Sequence, residues 1–343
     1  MNLWIVTIGS SDVQLDSDKV NRGKGRAEEQ RSDKVWQYWY DGEVKAKCYD
    51  IPHEPKKLYK DNDESYRIPP RVLGRVYEES DSEQKVEILS YLTYPLLDNF
   101  VSELKKMAAS PDAIVILLTD QSVIFKDSND LRKIKCAYWQ DTCELKSVLE
   151  CYFKNDARFP KAAQIWIQLE PESDSEKLKG FDDWNSVLNL VSNQFRDLKF
   201  DDQRIDLESI NTVYVSHQAG TPAISSAVQF ASLAKFGDRV KFLVSSEQDK
   251  TLTDTMKSSA YLRGIKKEQA KKLLDRHDYS GVNDLLSEDL DAETKNFSML
   301  RCSGTLLSLT SLQNSQRMAS STWKWRSVQR QKTGGGRLTK QHI

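Results

Sequence analysis

Apolar residues fall into five short continuous runs: Leu3 to Ile8, Ala113 to Leu118, Ile165 to Leu169, Thr212 to Val215 and Val240 to Val244. Each is rich in Ile and Val, and such a run without polar alternation suits a strand covered on both faces of a parallel sheet. Between the runs, apolar positions recur at helical spacing. Val86 and Leu89 are followed, after a break at Pro95, by Leu96, Leu97, Phe100, Val101 and Leu104. Trp184, Val187, Leu188, Val191 and Phe195 form another stripe, and Ile224, Ala227, Val228 and Ala231 a third. Strands alternating with amphipathic helices predict an α/β chain with a doubly wound, mainly parallel sheet.

This reading makes residues 1–247 a Rossmann-like domain. Two of its strands run into small-residue loops, Ile8-Gly9-Ser10-Ser11-Asp12 and Ser216-His217-Gln218-Ala219-Gly220-Thr221-Pro222-Ala223, about two hundred residues apart. A strand, a Gly/Ser/Thr turn and a helix together place backbone N–H groups at the carboxyl edge of a parallel sheet, where α/β folds hold phosphates. Thr221 is placed to cap the following helix, and Pro222 fits its first turn.

An insertion at about 16–70 interrupts the pattern. Asp16 to Lys34 is charged and aperiodic and reads as a mobile loop. Val35 to Tyr40 and Glu43 to Tyr49 flank Asp41-Gly42, which predicts a β-hairpin with a type I′ turn. Loop and hairpin either form a lid or are a decoration without ligand contact. Residues 248–293 turn helical, with Lys266 to Arg276 and a shorter helix near Val282 to Leu286, and are read as a linker or appendage.

Composition adds limits. The net charge of −1 hides a tail from residue 294 that carries +9, while the rest of the chain is −10. That tail, with Gly334-Gly335-Gly336, is expected to be disordered and to hold no stable nucleic-acid partner. No stretch approaches a membrane span and no signal-peptide pattern opens the chain, so a cytoplasmic protein is expected. The five cysteines include no close pair of the kind structural zinc uses, and neither disulfide nor metal is expected. No Walker motif or three-glycine dinucleotide fingerprint is present, and Gly9-Ser10-Ser11 lacks the second glycine of a nucleophile elbow. ATPase, NAD-dependent and Ser-His-Asp hydrolase readings are therefore poor, and no cofactor is expected.

At these residues the chain resembles a family. Val6-Thr7-Ile8-Gly9-Ser10-Ser11 and Ser216 to Ala223 are similar to the two motifs of CARF domains, the CRISPR-associated Rossmann folds that bind cyclic oligoadenylates. Ala270 to Gly281 resembles the helical linker joining CARF to HEPN ribonuclease domains in type III CRISPR ancillary nucleases. HEPN sites carry an Arg-x4-6-His motif on an interior helix. Arg337 to His342 has that spacing but sits beside a glycine triplet without a helical pattern, and Arg276-His277 has the wrong spacing. The expectation is a CARF protein without an intact HEPN domain, resembling stand-alone ring nucleases.

The resemblance implies that cyclic oligoadenylate, with cyclic tetra-adenylate the expected ring, binds at the interface of a homodimer. Its ligand residues would be Gly9, Ser10, Ser11, Asp12, Ser216, His217, Gln218, Ala219, Gly220 and Thr221. It also implies metal-independent cleavage, in which a ribose 2′-OH attacks its own 3′-phosphate and leaves a 2′,3′-cyclic phosphate. Ser11 is the first candidate for a hydrogen bond at the scissile phosphate, followed by Ser10. His217 suits proton transfer by its ordinary pKa, or else positions the ligand. Lys24, Arg26, Arg71 and Arg75 are cations that either reach phosphates or are solvated surface charges. Two alternatives stay open: a non-catalytic cyclic oligoadenylate sensor that regulates a partner, and a truncated HEPN ribonuclease.

Overall fold

The computed structural model describes residues 1–10, 12–16, 19–20, 40–48, 51, 68–125, 129–132, 136–154, 159–171, 180–200, 203–204, 209–245, 253–257 and 259–286. Six strands form the main sheet: β1 (Asn2–Thr7), β2 (Ala113–Thr119), β3 (Ala163–Leu169), β4 (Thr212–Ser216), β5 (Val240–Ser245) and β6 (Thr253–Lys257). Their order is β6-β5-β4-β1-β2-β3, all neighbours pairing parallel except β5 with β6. The chain thus winds outward from β1 in one direction through β2 and β3, and later in the other through β4 and β5. The boundary between β1 and β4 is the topological switch point, the place in such sheets where a crevice opens beyond the strand ends.

Side-chain alternation along the strands divides the core into two layers. Trp4, Val6, Ile8, Ile114, Ile116, Leu118 and Tyr214 point to one face. There they meet α1 (Pro70–Glu78), α2 (Ser82–Tyr91), α3 (Pro95–Lys106) and α4 (Lys146–Phe153). Leu3, Ile5, Val115, Leu117, Val213 and Val215 point to the other, against α5 (Trp184–Arg196) and α6 (Pro222–Phe236). In β1, β2 and β4 both faces are covered, which is why these strands read as unbroken apolar runs. The fold is the expected doubly wound, Rossmann-like α/β sheet.

The hairpin is a correction. Tyr40–Val44 forms a π-helical turn continued by α-helix at Lys45–Lys47, and the Cys48 N–H donates to the Val44 carbonyl. Val44 and Cys48 are buried while Lys45 and Ala46 between them are exposed, a spacing of four that belongs to a helix. The alternation of Val44, Ala46 and Cys48 with charged residues mimicked a strand. Lys47 fixes the turn by donating to Glu43 at 3.0 Å and to Ser80 at 2.7 Å. The other hairpin arm and most of Asp16 to Lys34 lie outside the described residues, as does the basic tail, so the proposed lid has no description.

Strand β6 is a second correction, because its segment was read as the start of a helical appendage. It is a polar edge strand, Thr-Asp-Thr-Met-Lys, with no apolar run to announce it. The chain divides into two compact units, Met1–Leu262 and Arg263–Ile343. Beyond β6 come α7 (Ser259–Asp275) and, within the second unit, α8 (Tyr279–Leu286). Between them His277 adopts φ +60° and closes the end of α7, and the Asp278 carboxylate accepts the Gly281 N–H at 2.9 Å.

Candidate functional site

The two small-residue loops meet. Gly9 follows β1 and Gly220 follows β4, on either side of the switch point. A Cβ placed on Gly9 would lie 2.8 Å from the Gly220 nitrogen and 3.3 Å from Ala219 Cβ, so only glycine allows this approach. Gly220 holds φ +94°, which side chains rarely adopt.

Within the first loop, Asp12 is fully buried and its carboxylate accepts the Gly9 N–H at 2.7 Å, while the Asp12 N–H donates to the Gly9 carbonyl. This closes the turn and leaves Ser10 half-buried at its tip. Ser11 lies outside the described residues. The Gly9 N–H and Asp12 Oδ2 are therefore committed to shaping the loop.

The second loop is built by more distant partners. Ser216 is 1% exposed; its hydroxyl accepts from the Trp4 indole at 3.0 Å and its carbonyl accepts from the Thr7 hydroxyl. Gln218 makes a two-way clamp, accepting the Ser245 N–H at 2.6 Å and donating to the Ser245 carbonyl at 2.9 Å. Ala219 is buried beside Gly9. The Thr221 hydroxyl accepts the Ile224 N–H and so caps α6, with Pro222 at its first turn, and gives its own proton to the Phe181 carbonyl at 2.7 Å.

His217 stands at the carboxyl end of β4 with its ring edge-on to Phe242. Nδ1 lies 3.0 Å from the hydroxyl of Ser225, in the first turns of α6. Burial lowers its pKa from the ordinary 6.5, which favours the neutral imidazole. Among the predicted residues the structure thus gathers Gly9, Ser10, Asp12, Ser216, His217, Gln218, Ala219, Gly220 and Thr221 at one sheet edge beside a helix N-terminus. Such an edge favours an anionic ligand.

The cations behave differently. Arg71 is 3% exposed and bonded to Asp120 at 2.7 Å, Asp141 at 3.1 Å and the Tyr138 carbonyl at 2.7 Å, its guanidinium also lying over the Tyr138 ring. Arg75 donates to the Tyr138 hydroxyl. Arg71 holds the α1 layer to the end of β2, and Arg75 ties α1 to Tyr138. Burial raises the Asp120 pKa, but bonds from Arg71 and Ser122 outweigh it and leave it lowered. In the more deeply buried Asp141, burial wins and the pKa is raised against the donors Gln121 and Arg71. Burial also pushes the Cys143 thiol up to about 12. Lys24 and Arg26 lie outside the described residues. Among the described residues, no group of three or more His, Cys, Asp or Glu is placed to hold a metal ion.

Two contributors escaped the sequence reading. Ser225 carried a usable signal, standing eight residues after His217 and within a turn of the capping Thr221. Gln121 stands two residues beyond β2 at the same edge, yet no glycine marks its loop.

No protein-family model matches the chain, and curated proteins return no match. Among solved structures, the chain is similar to Enterococcus italicus Csm6 bound to cyclic hexa-2′-fluoro-hexa-dAMP. Identity is 12% and the TM-score 0.33, over 55% of this chain and 44% of that one. The chain spans less than half the length of that protein. No described helix is long and apolar enough to cross a membrane.

Proposed function

We propose that the protein binds a cyclic oligoadenylate at the paired loops and cleaves it as a ring nuclease. The observation that carries the reading is the backbone contact of Gly9 with Gly220 across the switch point. It joins two CARF-like motifs into one surface, with the N-terminus of α6 and His217 beside it. A ring of phosphodiesters presents a negative charge at each nucleotide, which the helix end and the loop amides favour. Its rotational symmetry suits a homodimer, in which each protomer offers the same edge.

In the proposed reaction a ribose 2′-oxygen bonds to the adjacent phosphorus as the P–O5′ bond breaks. The products are a 2′,3′-cyclic phosphate and a 5′-hydroxyl. The nucleophile belongs to the ligand, so the protein aligns the two oxygens and stabilises charge on the phosphorane. Ser11 and Ser10 would bond the scissile phosphate. Neutral His217 would take the 2′-OH proton through Nε2, with Nδ1 held by Ser225, and the departing 5′-oxygen would take a proton from water. Destruction of the ring would end type III CRISPR signalling.

One observation favours a second reading, a sensor that binds without cleaving. Gly9, Asp12, Ser216, Gln218 and Thr221 already spend polar groups on one another or on neighbouring strands. The discriminating experiment measures binding of labelled cyclic tetra-adenylate and cyclic hexa-adenylate to the wild type and to Ser10→Ala, Ser11→Ala and His217→Ala. The ring-nuclease reading expects binding by all four proteins and slowed ring loss in the Ser11 and His217 variants. Tight binding with intact rings in the wild type leaves the sensor. Cleavage of a linear RNA by the same protein would revive the HEPN ribonuclease.

A further inference from the structure

We infer that Gln121 is a positioning residue that ties the buried Arg71–Asp141 pair to Thr221 through the main chain of Phe181. It thereby sets where the first turn of α6 lies. What this means for the ligand rests on the proposed function, whereas the link itself does not.

The connection is continuous. Asp141 accepts from Arg71 at 3.1 Å, from the Gln121 N–H at 2.8 Å and from Gln121 Nε2 at 3.2 Å. Those donors fix which way the Gln121 amide faces, because a flipped amide would set its oxygen against the carboxylate. Oε1 must then point away from Asp141, and it accepts the Phe181 N–H at 3.1 Å. The carbonyl of the same residue accepts the Thr221 hydroxyl at 2.7 Å. Thr221 has one proton to give, and its oxygen also takes the Ile224 N–H, so the hydroxyl is fully determined.

Phe181 is thus a one-residue bridge, its N–H turned to the loop after β2 and its C=O to the start of α6. Arg71, Asp141, Gln121 and Phe181 are 3%, 1%, 7% and 3% exposed, so water competes little for these bonds. The path also crosses the sheet edge. Arg71 belongs to α1 in one helical layer, and Phe181 packs in the core of the other. Gln121 is the point where the two layers are joined beside the site.

The test uses Gln121→Met, which keeps the length of the side chain and removes its bonds, with Thr221→Val and the double variant. Amide hydrogen exchange at Ile224 and Ser225 reads the position of the first turn without any ligand. In Gln121→Met it should quicken about five- to tenfold, the equivalent of one hydrogen bond, while Val191 in α5 stays as in the wild type. The double variant should add little to Thr221→Val, and Thr221→Ser, which retains the hydroxyl, should exchange as the wild type does. Unchanged exchange at Ile224, uniform acceleration including Val191, or additive effects would overturn the link. If Gln121→Met does not fold, the Gln121 side-chain amide resonance in Thr221→Val reads the same path, and an unmoved resonance overturns it.

Affinity for cyclic tetra-adenylate gives the functional arm, expected to weaken about five- to tenfold in Gln121→Met and no further in the double variant. Altered exchange with unchanged affinity would overturn the role in the site. A wild type that binds no cyclic adenylate would sink the proposed function, leaving the exchange result to decide the link.

Discussion

Gly9 and Gly220 pack backbone against backbone across the switch point of the sheet, with 2.8 Å between the Gly220 nitrogen and the place a Gly9 side chain would occupy. The contact makes one surface from two loops that lie at opposite ends of the domain in sequence. It also makes that surface sensitive to a single methyl group.

Gly9→Ala should therefore lower stability by about 1–3 kcal/mol, as overpacking against backbone does, and weaken ligand binding with it. Gly42→Ala is the control, since nothing lies within 4 Å of its Cβ and it sits in a helical turn. Urea unfolding should show that variant unchanged or more stable by about 0.5–1 kcal/mol. Equal destabilisation of the two would mean that the loops do not touch as described.

Gln218→Ala strips the Ser245 N–H and C=O of their side-chain partner at the end of β5, where Ser245 is 3% exposed. The expected loss is about 1–3 kcal/mol, read from a urea titration. A neutral substitution would release Gln218 from the clamp and return it to the list of free ligand contacts.

Arg71→Met leaves Asp120 and Asp141 beside an apolar side chain. Breaking such a buried pair from one side should cost about 3–5 kcal/mol, and adding Asp141→Asn should recover part of it. If Arg71 were a solvated phosphate contact, the single variant would unfold like the wild type and lose only affinity.

Because burial lowers the His217 pKa below 6.5 in the folded protein, the unfolded chain binds more protons in the interval between the two values. Stability from this group is fully present above pH 6.5 and declines as pH falls through that interval. Melting temperatures of wild type and His217→Gln, compared from pH 8 to pH 5, should show the wild type losing ground on acidification. The opposite trend would mean that the imidazolium is the favoured form.

The sheet was legible because both its faces are buried: Val115, Ile116 and Leu117 all lie in core, so β2 announced itself as one apolar run. The cap at Thr221 was equally readable, since Thr-Pro before an apolar stripe is a local signal. Tyr40 to Cys48 misled because Val44 and Cys48 fit either period over so short a span, and the bonds of Lys47 to Glu43 and Ser80 decide it. Strand β6 left no trace because it carries no apolar run: Thr253 and Thr255 are half-buried and Met256 is exposed. In the site, residue types were readable and their commitments were not. That Gln218 clamps Ser245 and Arg71 serves two carboxylates depends on pairings between distant segments, which one-dimensional patterns do not record.

The proposed function places cleavage of a cyclic oligoadenylate where Gly9 meets Gly220. Its most direct test is a single-turnover incubation of excess protein with cyclic tetra-adenylate or cyclic hexa-adenylate in EDTA, with products separated by chromatography and weighed by mass spectrometry. Linear adenylates ending in 2′,3′-cyclic phosphate, formed by the wild type and much more slowly by Gly9→Ala and His217→Ala, are the predicted result. Rings recovered intact from the wild type, or cleaved equally fast by all three proteins, would contradict it.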